Sequence, residues 1–306
     1  MNASRSRAWY EVEAGEVDCF EFCGGTITHF SQRCPTRVSS PNEDAACVIE
    51  VNAQHGLLAV ADGVGGANAG NQASLNIIKQ LIKETRSTAS ENPASLRGKI
   101  LDAIEKSNDE VLSWGIGAAS TLVVVEFFAA KIRTFHVGDS KAMLLSNQGR
   151  IKFSTVGHAP IAMAVEIGVL NEEEGLLHED RNLITNCVGS NEMKIEIGSP
   201  VPMATRDTLV VASDGLFDNL TTEEIASVIR IGNLAEQTSE LAKMAISRMV
   251  GVMEGSDAPS KPDDLTIICF RQTQQAKKAG TKSRCQPITK AKSFGHLTFD
   301  RRTLRQ

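Results

Sequence analysis

Residues 208–218 read Thr-Leu-Val-Val-Ala-Ser-Asp-Gly-Leu-Phe-Asp, an apolar run that ends on the acid–glycine pair Asp214-Gly215. A run this short, apolar and rich in β-branched residues predicts a buried strand, and the end of a buried strand fixes the side chain that follows it. Gly215 lets the backbone turn without steric penalty. A carboxylate held in this way suits a hard metal ion, which takes oxygen ligands. The arrangement recurs in three other places. Leu57-Leu-Ala-Val-Ala61 runs into Asp62-Gly-Val-Gly-Gly66, Phe135-His-Val137 runs into Gly138-Asp139-Ser140, and Asp263-Asp264 opens Leu265-Thr-Ile-Ile-Cys-Phe270. Four carboxylate-bearing strand ends predict a metal cluster.

Outward from that stretch, helical periodicity predicts two helices after it, over 222–230 and 234–250, and the apolar run 265–271 predicts a closing strand. Before it, residues 17–32 predict a strand or hairpin broken at Gly24-Gly25, followed by a loop to Asn42. The runs 45–51 and 56–61 predict a second hairpin. Two helices follow, one with Leu75, Ile78, Leu81 and Ile82 on a face, the other with Leu96, Ile100, Ile104, Val111 and Leu112, joined by a linker at 87–93. Strands are expected at 120–128, 131–137 and 142–146, then a long polar insertion, 149–189, with one short helix near 161–167. The order lacks the βαβα alternation of a parallel sheet. It predicts an α+β fold: a four-layer α-β-β-α sandwich of two mainly antiparallel sheets flanked by helix pairs. The expected division is an N-terminal extension (1–16), a catalytic domain (17–272, with a flap at about 150–190) and a flexible basic C-terminal tail (273–306).

The totals narrow the class. The 306 residues carry a net charge of −5, but from Thr273 onward nine Lys or Arg stand against one acid, so the tail's +8 leaves −13 on the rest. Such a tail is expected to contact an acidic partner or its own catalytic domain. The longest apolar stretch, around 121–130, is broken by Glu126 and too short to span a bilayer, and no signal peptide is expected at Met1–Arg7. Seven cysteines with no paired spacing fit a reducing cytosol, so a cytoplasmic protein is expected.

Magnesium and manganese prefer oxygen ligands in octahedral geometry. Asp62, Asp214 and Asp263 meet that need, helped by Asn42-Glu43-Asp44, and no cysteine or histidine cluster points to zinc. Two such ions about 3.5–4 Å apart lower the pKa of a shared water and clamp the oxygens of a phosphoryl transition state. Hydrolysis of a phosphate ester is the reaction expected.

Taken in order, Asn42-Glu-Asp44, Asp62-Gly-Val-Gly-Gly66, Ala119-Ser-Thr121, Val137-Gly-Asp-Ser140, Ala212-Ser-Asp-Gly-Leu-Phe-Asp218 and Asp263-Asp264 resemble the metal-dependent protein Ser/Thr phosphatases of the protein phosphatase 2C type. The likeness runs from about residue 20 to 271. His178-Glu-Asp-Arg-Asn182 and Leu183-Ile-Thr-Asn-Cys-Val-Gly189 are similar to motifs of the bacterial branch. The resemblance implies two Mn2+ or Mg2+ ions, with Asp62 bridging both, the Gly63 carbonyl on one, and Asp214 and Asp263 on the other. Asp44 joins this set, Glu43 acts through water, and Asp139 and Asp218 form a third, weaker site. It implies direct attack on phosphoserine or phosphothreonine by a metal-bridging hydroxide, with phosphorylated proteins as substrates and a Ser/Thr kinase as the opposing partner.

Three positions depart from the pattern, the least of them Lys141 in Gly138-Asp-Ser-Lys141, where arginine is commoner. The arginine that grips the substrate phosphate is replaced by Ser39, which makes Arg37 the candidate clamp, with Arg33 further back. Val64 stands where eukaryotic members carry a histidine that bacterial members often lack, which favours the bacterial branch. The loss at Ser39 keeps open an alternative, a catalytically weak or silent phosphatase fold that binds or senses.

Overall fold

Strands that are apolar at every position are those buried on both faces, and the structure, a computed structural model, arranges them in two antiparallel sheets. It describes residues 5–37, 39–64, 69–85, 94–251 and 260–272. The chain runs β1 (Arg5–Tyr10), β2 (Asp18–Phe22), β3 (Gly25–Gln32), β4 (Asp44–Asn52), β5 (His55–Asp62), α1 (Gly70–Thr85) and α2 (Ala94–Ser113). It continues through β6 (Leu122–Phe128), β7 (Lys131–Val137), β8 (Lys141–Leu145), β9 (Ile151–Ser154), α3 (Pro160–Glu166) and α4 (Glu172–Leu177). It closes with β10 (Glu196–Ile197), β11 (Val201–Pro202), β12 (Thr208–Ala212), α5 (Asp214–Phe217), α6 (Thr222–Ile229), α7 (Leu234–Met249) and β13 (Leu265–Gln272). One sheet has the order β1-β4-β5-β6-β7-β10, with β11 also on β7, and the other β2-β3-β13-β12-β8-β9.

Alternation along the strands sorts the side chains into layers. Leu58 and Val60 of β5 meet Leu209 and Val211 of β12 and Ile268 and Phe270 of β13 between the sheets. There Phe270 packs edge-on against Phe22 and Phe127, at centroid distances of 5.4 and 5.0 Å. Leu57, Ala59 and Ala61 face the other way, onto Ile77, Ile78 and Leu81 of α1 and Ile100 and Ile104 of α2. On the far side, Val210, Ala212, Ile267 and Cys269 lie under Ile225 and Ile229 of α6 and Leu241 and Ala245 of α7. Each large apolar side chain so buried contributes about 1.5–3 kcal/mol. The α-β-β-α sandwich expected from the sequence is therefore the architecture observed.

Glu126, which interrupts the longest apolar run, is buried in β6 but paired: its carboxylate meets His55 Nε2 at 3.1 Å and Arg133 Nη1 at 3.4 Å. The helix start at Thr221 is a capping box, with Thr221 N donating to Glu224 Oε2 at 2.9 Å and Glu224 N returning to the hydroxyl.

Three readings need correction. Residues 5–10 are not an extension outside the body: they form β1 and pair with β4 from Arg5↔Glu50 to Tyr10↔Ala45. The insertion does not begin at 149, because residues 151–154 pair with β8 as an edge strand, and it holds two short helices rather than one. The inner face of α1 is set by Ala73, Ser74, Ile77, Ile78 and Leu81, with Leu75 only half-buried. The linker at 87–93 and the basic tail from Thr273 lie outside the described residues.

Candidate metal centre

Carboxylates gather where strand ends of both sheets meet. Asp44 and Asp62 are cross-strand partners, the last pair of the β4–β5 ladder. Asp214 follows β12 as the first residue of α5, and Asp218 caps that single turn, its N–H on Asp214 O at 2.8 Å. Asp263 stands two residues before β13. Asp139 follows Gly138, whose φ of 97° favours glycine and whose missing side chain leaves room for Thr121, 2.6 Å from where a Cβ would sit.

The surrounding hydrogen bonds hold these groups in place. Ser213 Oγ donates to Asp44 Oδ2 at 2.8 Å. Ser120 Oγ and Thr121 N both donate to the Asp62 carbonyl at 2.8 Å, and Gly63 N donates to Glu43 O at 3.1 Å. Gly63 packs so closely on the start of α1 that a Cβ there would lie 2.4 Å from the Gly70 carbonyl carbon. Asp264, beside Asp263, is occupied elsewhere: its oxygens accept from Cys34 N at 2.6 Å and Glu43 N at 2.8 Å, which ties two loops to β13. Its neighbour Asp263 faces the cluster.

Of the two arginines considered, Arg37 enters the basin. Its Nη2 donates to Asp263 Oδ1 at 2.7 Å and lies 3.3 Å from Asp264 Oδ2, while Nη1 is 3.4 Å from Glu43 Oε2. Arg33 instead lies 3.9 Å from Glu13, and Ser39 is exposed. In the flap, Arg181 Nη2 donates to Ser260 O at 3.0 Å and His178 Nδ1 accepts from Asp180 N at 3.1 Å, so both brace the loop.

The charges strain one another. Burial, then Asp44, Asp214, Asp263 and Asp139, push the Asp62 carboxyl well above its ordinary pKa. Burial and Asp264 do the same to Asp44. Burial with neighbouring Asp214 raises both Asp139 and Asp263 to about 7. Asp214 alone goes down: burial pushes it up, but Lys261 more than offsets that.

Lys261 gave no reason in the sequence to single it out, yet its ammonium donates to Asp214 Oδ2 and, at 2.8 Å, to Asp218 Oδ2. The signal available was its place two residues before Asp263. Asn219, fully buried, was also missed; it donates to Gly215 O at 3.0 Å and so holds the turn that carries Asp214.

The donor set is all oxygen, and two of its atoms, Asp44 Oδ1 and Asp214 Oδ1, are buried with no hydrogen-bond partner. A buried acceptor left unpaired is costly. Hard dications that prefer carboxylate, carbonyl and water fit such a site.

The family model of protein phosphatase 2C matches residues 35–245. A serine/threonine phosphatase, stp, of Listeria monocytogenes serovar 1/2a is 29% identical over 206 residues, covering 63% of this chain and 79% of that protein. Among solved structures, the serine/threonine phosphatase of S. agalactiae superposes with a TM-score of 0.63 at 25% identity, covering 87% of this chain and 99% of that one. The catalytic domain of the serine/threonine protein phosphatase PstP, solved in complex with 2 manganese ions, shares the fold with a TM-score of 0.63 at 24% identity, over 80% of this chain and 96% of that one.

Proposed function

The chain belongs to the protein phosphatase 2C family of serine/threonine phosphatases, and on that premise we propose that it hydrolyses phosphoserine and phosphothreonine in proteins at a two-ion manganese or magnesium centre. The observation that carries this reading is the convergence of Asp44, Asp62, Asp214 and Asp263 from strand ends of both sheets, with Asp44 Oδ1 and Asp214 Oδ1 buried and unpartnered. Asp62, the Gly63 carbonyl, Asp214 and Asp263 would hold the ions, with Asp44 beside them and Glu43 acting through water. When bound, two such ions supply a water of lowered pKa and the positive charge that a phosphoryl transition state needs.

The chain's own residues supply the rest. Ser213, Ser120 and Thr121 fix Asp44 and Asp62, so that the carboxylates are aimed before substrate arrives. Arg37, about one-third exposed at the rim, presents a guanidinium fork suited to a phosphate. Charge on Asp263 shared with a dication would loosen its hold on that fork. Cys23, Cys47 and Cys269 are poorly suited to act as nucleophiles: burial pushes the Cys269 thiol up to about 11, and raises those of Cys23 and Cys47 further.

The substrates are proposed to be phosphorylated proteins, with the enzyme opposing a Ser/Thr kinase. Among the described residues no helix is long and apolar enough to cross a membrane. The test is phosphate release from a phosphothreonine peptide with manganese, with magnesium and with chelator, beside Asp62→Asn and Asp214→Asn. Manganese-dependent release lost in both variants is the expected result. Metal binding without turnover would favour the silent, sensing alternative, and absence of both would overturn the site.

A further inference from the structure

The acidic basin already contains a cation of the chain's own. Besides its bonds to Asp214 and Asp218, Lys261 Nζ lies 3.6 Å from Asp263 Oδ2. The placement is built rather than incidental. Asn219 grips the lysine's backbone on both sides, with Lys261 N donating to Asn219 Oδ1 at 2.8 Å and Asn219 Nδ2 donating to Lys261 O at 2.9 Å. The same amide holds Gly215 O, so one buried side chain sets both the lysine and the turn bearing Asp214.

Asp214 is divided between two tasks. Its Oδ2 is taken by the lysine, while Oδ1 is buried with no partner. One oxygen is thus free for an ion on the Asp62 side, and the other is committed on the Asp218 side. A dication at Asp218 would have to share oxygens with an ammonium already bonded to them, and like charges at such range repel strongly.

We infer that Lys261 is a tethered cation that fills the Asp214–Asp218 side of the basin, so that the protein holds two divalent ions and excludes a third from Asp139 and Asp218. This rests on the metal reading given above. It also makes Lys261 a positioning residue, since it fixes which Asp214 oxygen faces the ions.

The experiment is equilibrium dialysis against graded manganese, with bound metal counted by elemental mass spectrometry. The proteins are the full-length wild type, Lys261→Met, Lys261→Arg and the double variant Lys261→Met/Asp218→Asn. The wild type and Lys261→Arg should saturate at two ions. Lys261→Met should take up a third, weaker one, and the double variant should lose it again. Two ions on Lys261→Met would overturn the inference and leave the two-ion reading intact. Three on the wild type would overturn it whatever the variants do, including any that fail to fold. No manganese on the wild type would remove the metal reading and this inference together.

Discussion

Replacing Asp139 with asparagine is expected to stabilise the protein when metal is withheld. Burial, then Asp214 and Asp218, push the Asp139 carboxyl from its ordinary 3.8 up to about 7, against the pull of Lys261 and Lys141. The folded protein therefore keeps a proton that the unfolded chain releases above about pH 4. Between the two values stability falls as pH rises, and the loss is complete above the folded pKa. For a rise from 3.8 to about 7, that loss amounts to about 4 kcal/mol at pH 8. Asparagine has the same shape and cannot ionise, so the variant avoids it. The neighbouring carboxylates titrate together and share part of the effect, which lowers the expected gain to about 2–4 kcal/mol. In a domain of this size that is a rise in Tm of roughly 5–15 °C. Urea and thermal unfolding with chelator at pH 8 and pH 5 would measure it. The variant's advantage should be full at pH 8, less than half as large at pH 5, and reduced at either pH by added manganese. A chelated Asp139→Asn protein no more stable than wild type at pH 8 would refute the reasoning.

Two other outcomes follow from the same geometry. Arg37→Ala should raise KM for a phosphothreonine peptide by roughly 10- to 100-fold, as the loss of a charge-assisted fork implies. Arg37→Lys should recover only part of it. An unchanged KM in both would mean that Arg37 serves only its acidic neighbours. Gly215→Ala would place a Cβ 2.0 Å from the Asp264 carbonyl oxygen, a backbone clash expected to cost about 3 kcal/mol or more. Urea unfolding of that variant at wild-type stability would show that the α5 turn shifts freely.

The architecture is legible because its strands are buried on both faces and so leave continuous apolar runs, each bounded by an acid or a glycine. Position next to such a boundary also marks Asp62, Asp139, Asp214 and Asp263. What sequence alone does not separate is Asp263 from Asp264. The distinction comes from two loop amides, of Cys34 and Glu43, that occupy Asp264 and that lie more than 200 residues away along the chain. Lys261 is hidden for a related reason. A lone lysine beside an acidic pair reads as solvated charge until Asn219 fixes its backbone. The strands β1, β10 and β11 escape notice because they are edge or two-residue elements, paired by backbone groups rather than defined by apolar side chains.

Asp44 and Asp62 ride on one sheet, while Asp214 and Asp263 sit at strand ends of the other. An ion shared among them would act as a rivet across the seam of the sandwich, at one end only. Metal occupancy and the tightness of that seam would then rise and fall together, since whatever binds only the folded state stabilises it. A cell short of manganese would hold more than an idle catalyst. It would hold a looser protein, one whose sheets part more readily and which proteases reach sooner, so that metal supply would govern how long the enzyme lasts as well as how fast it works.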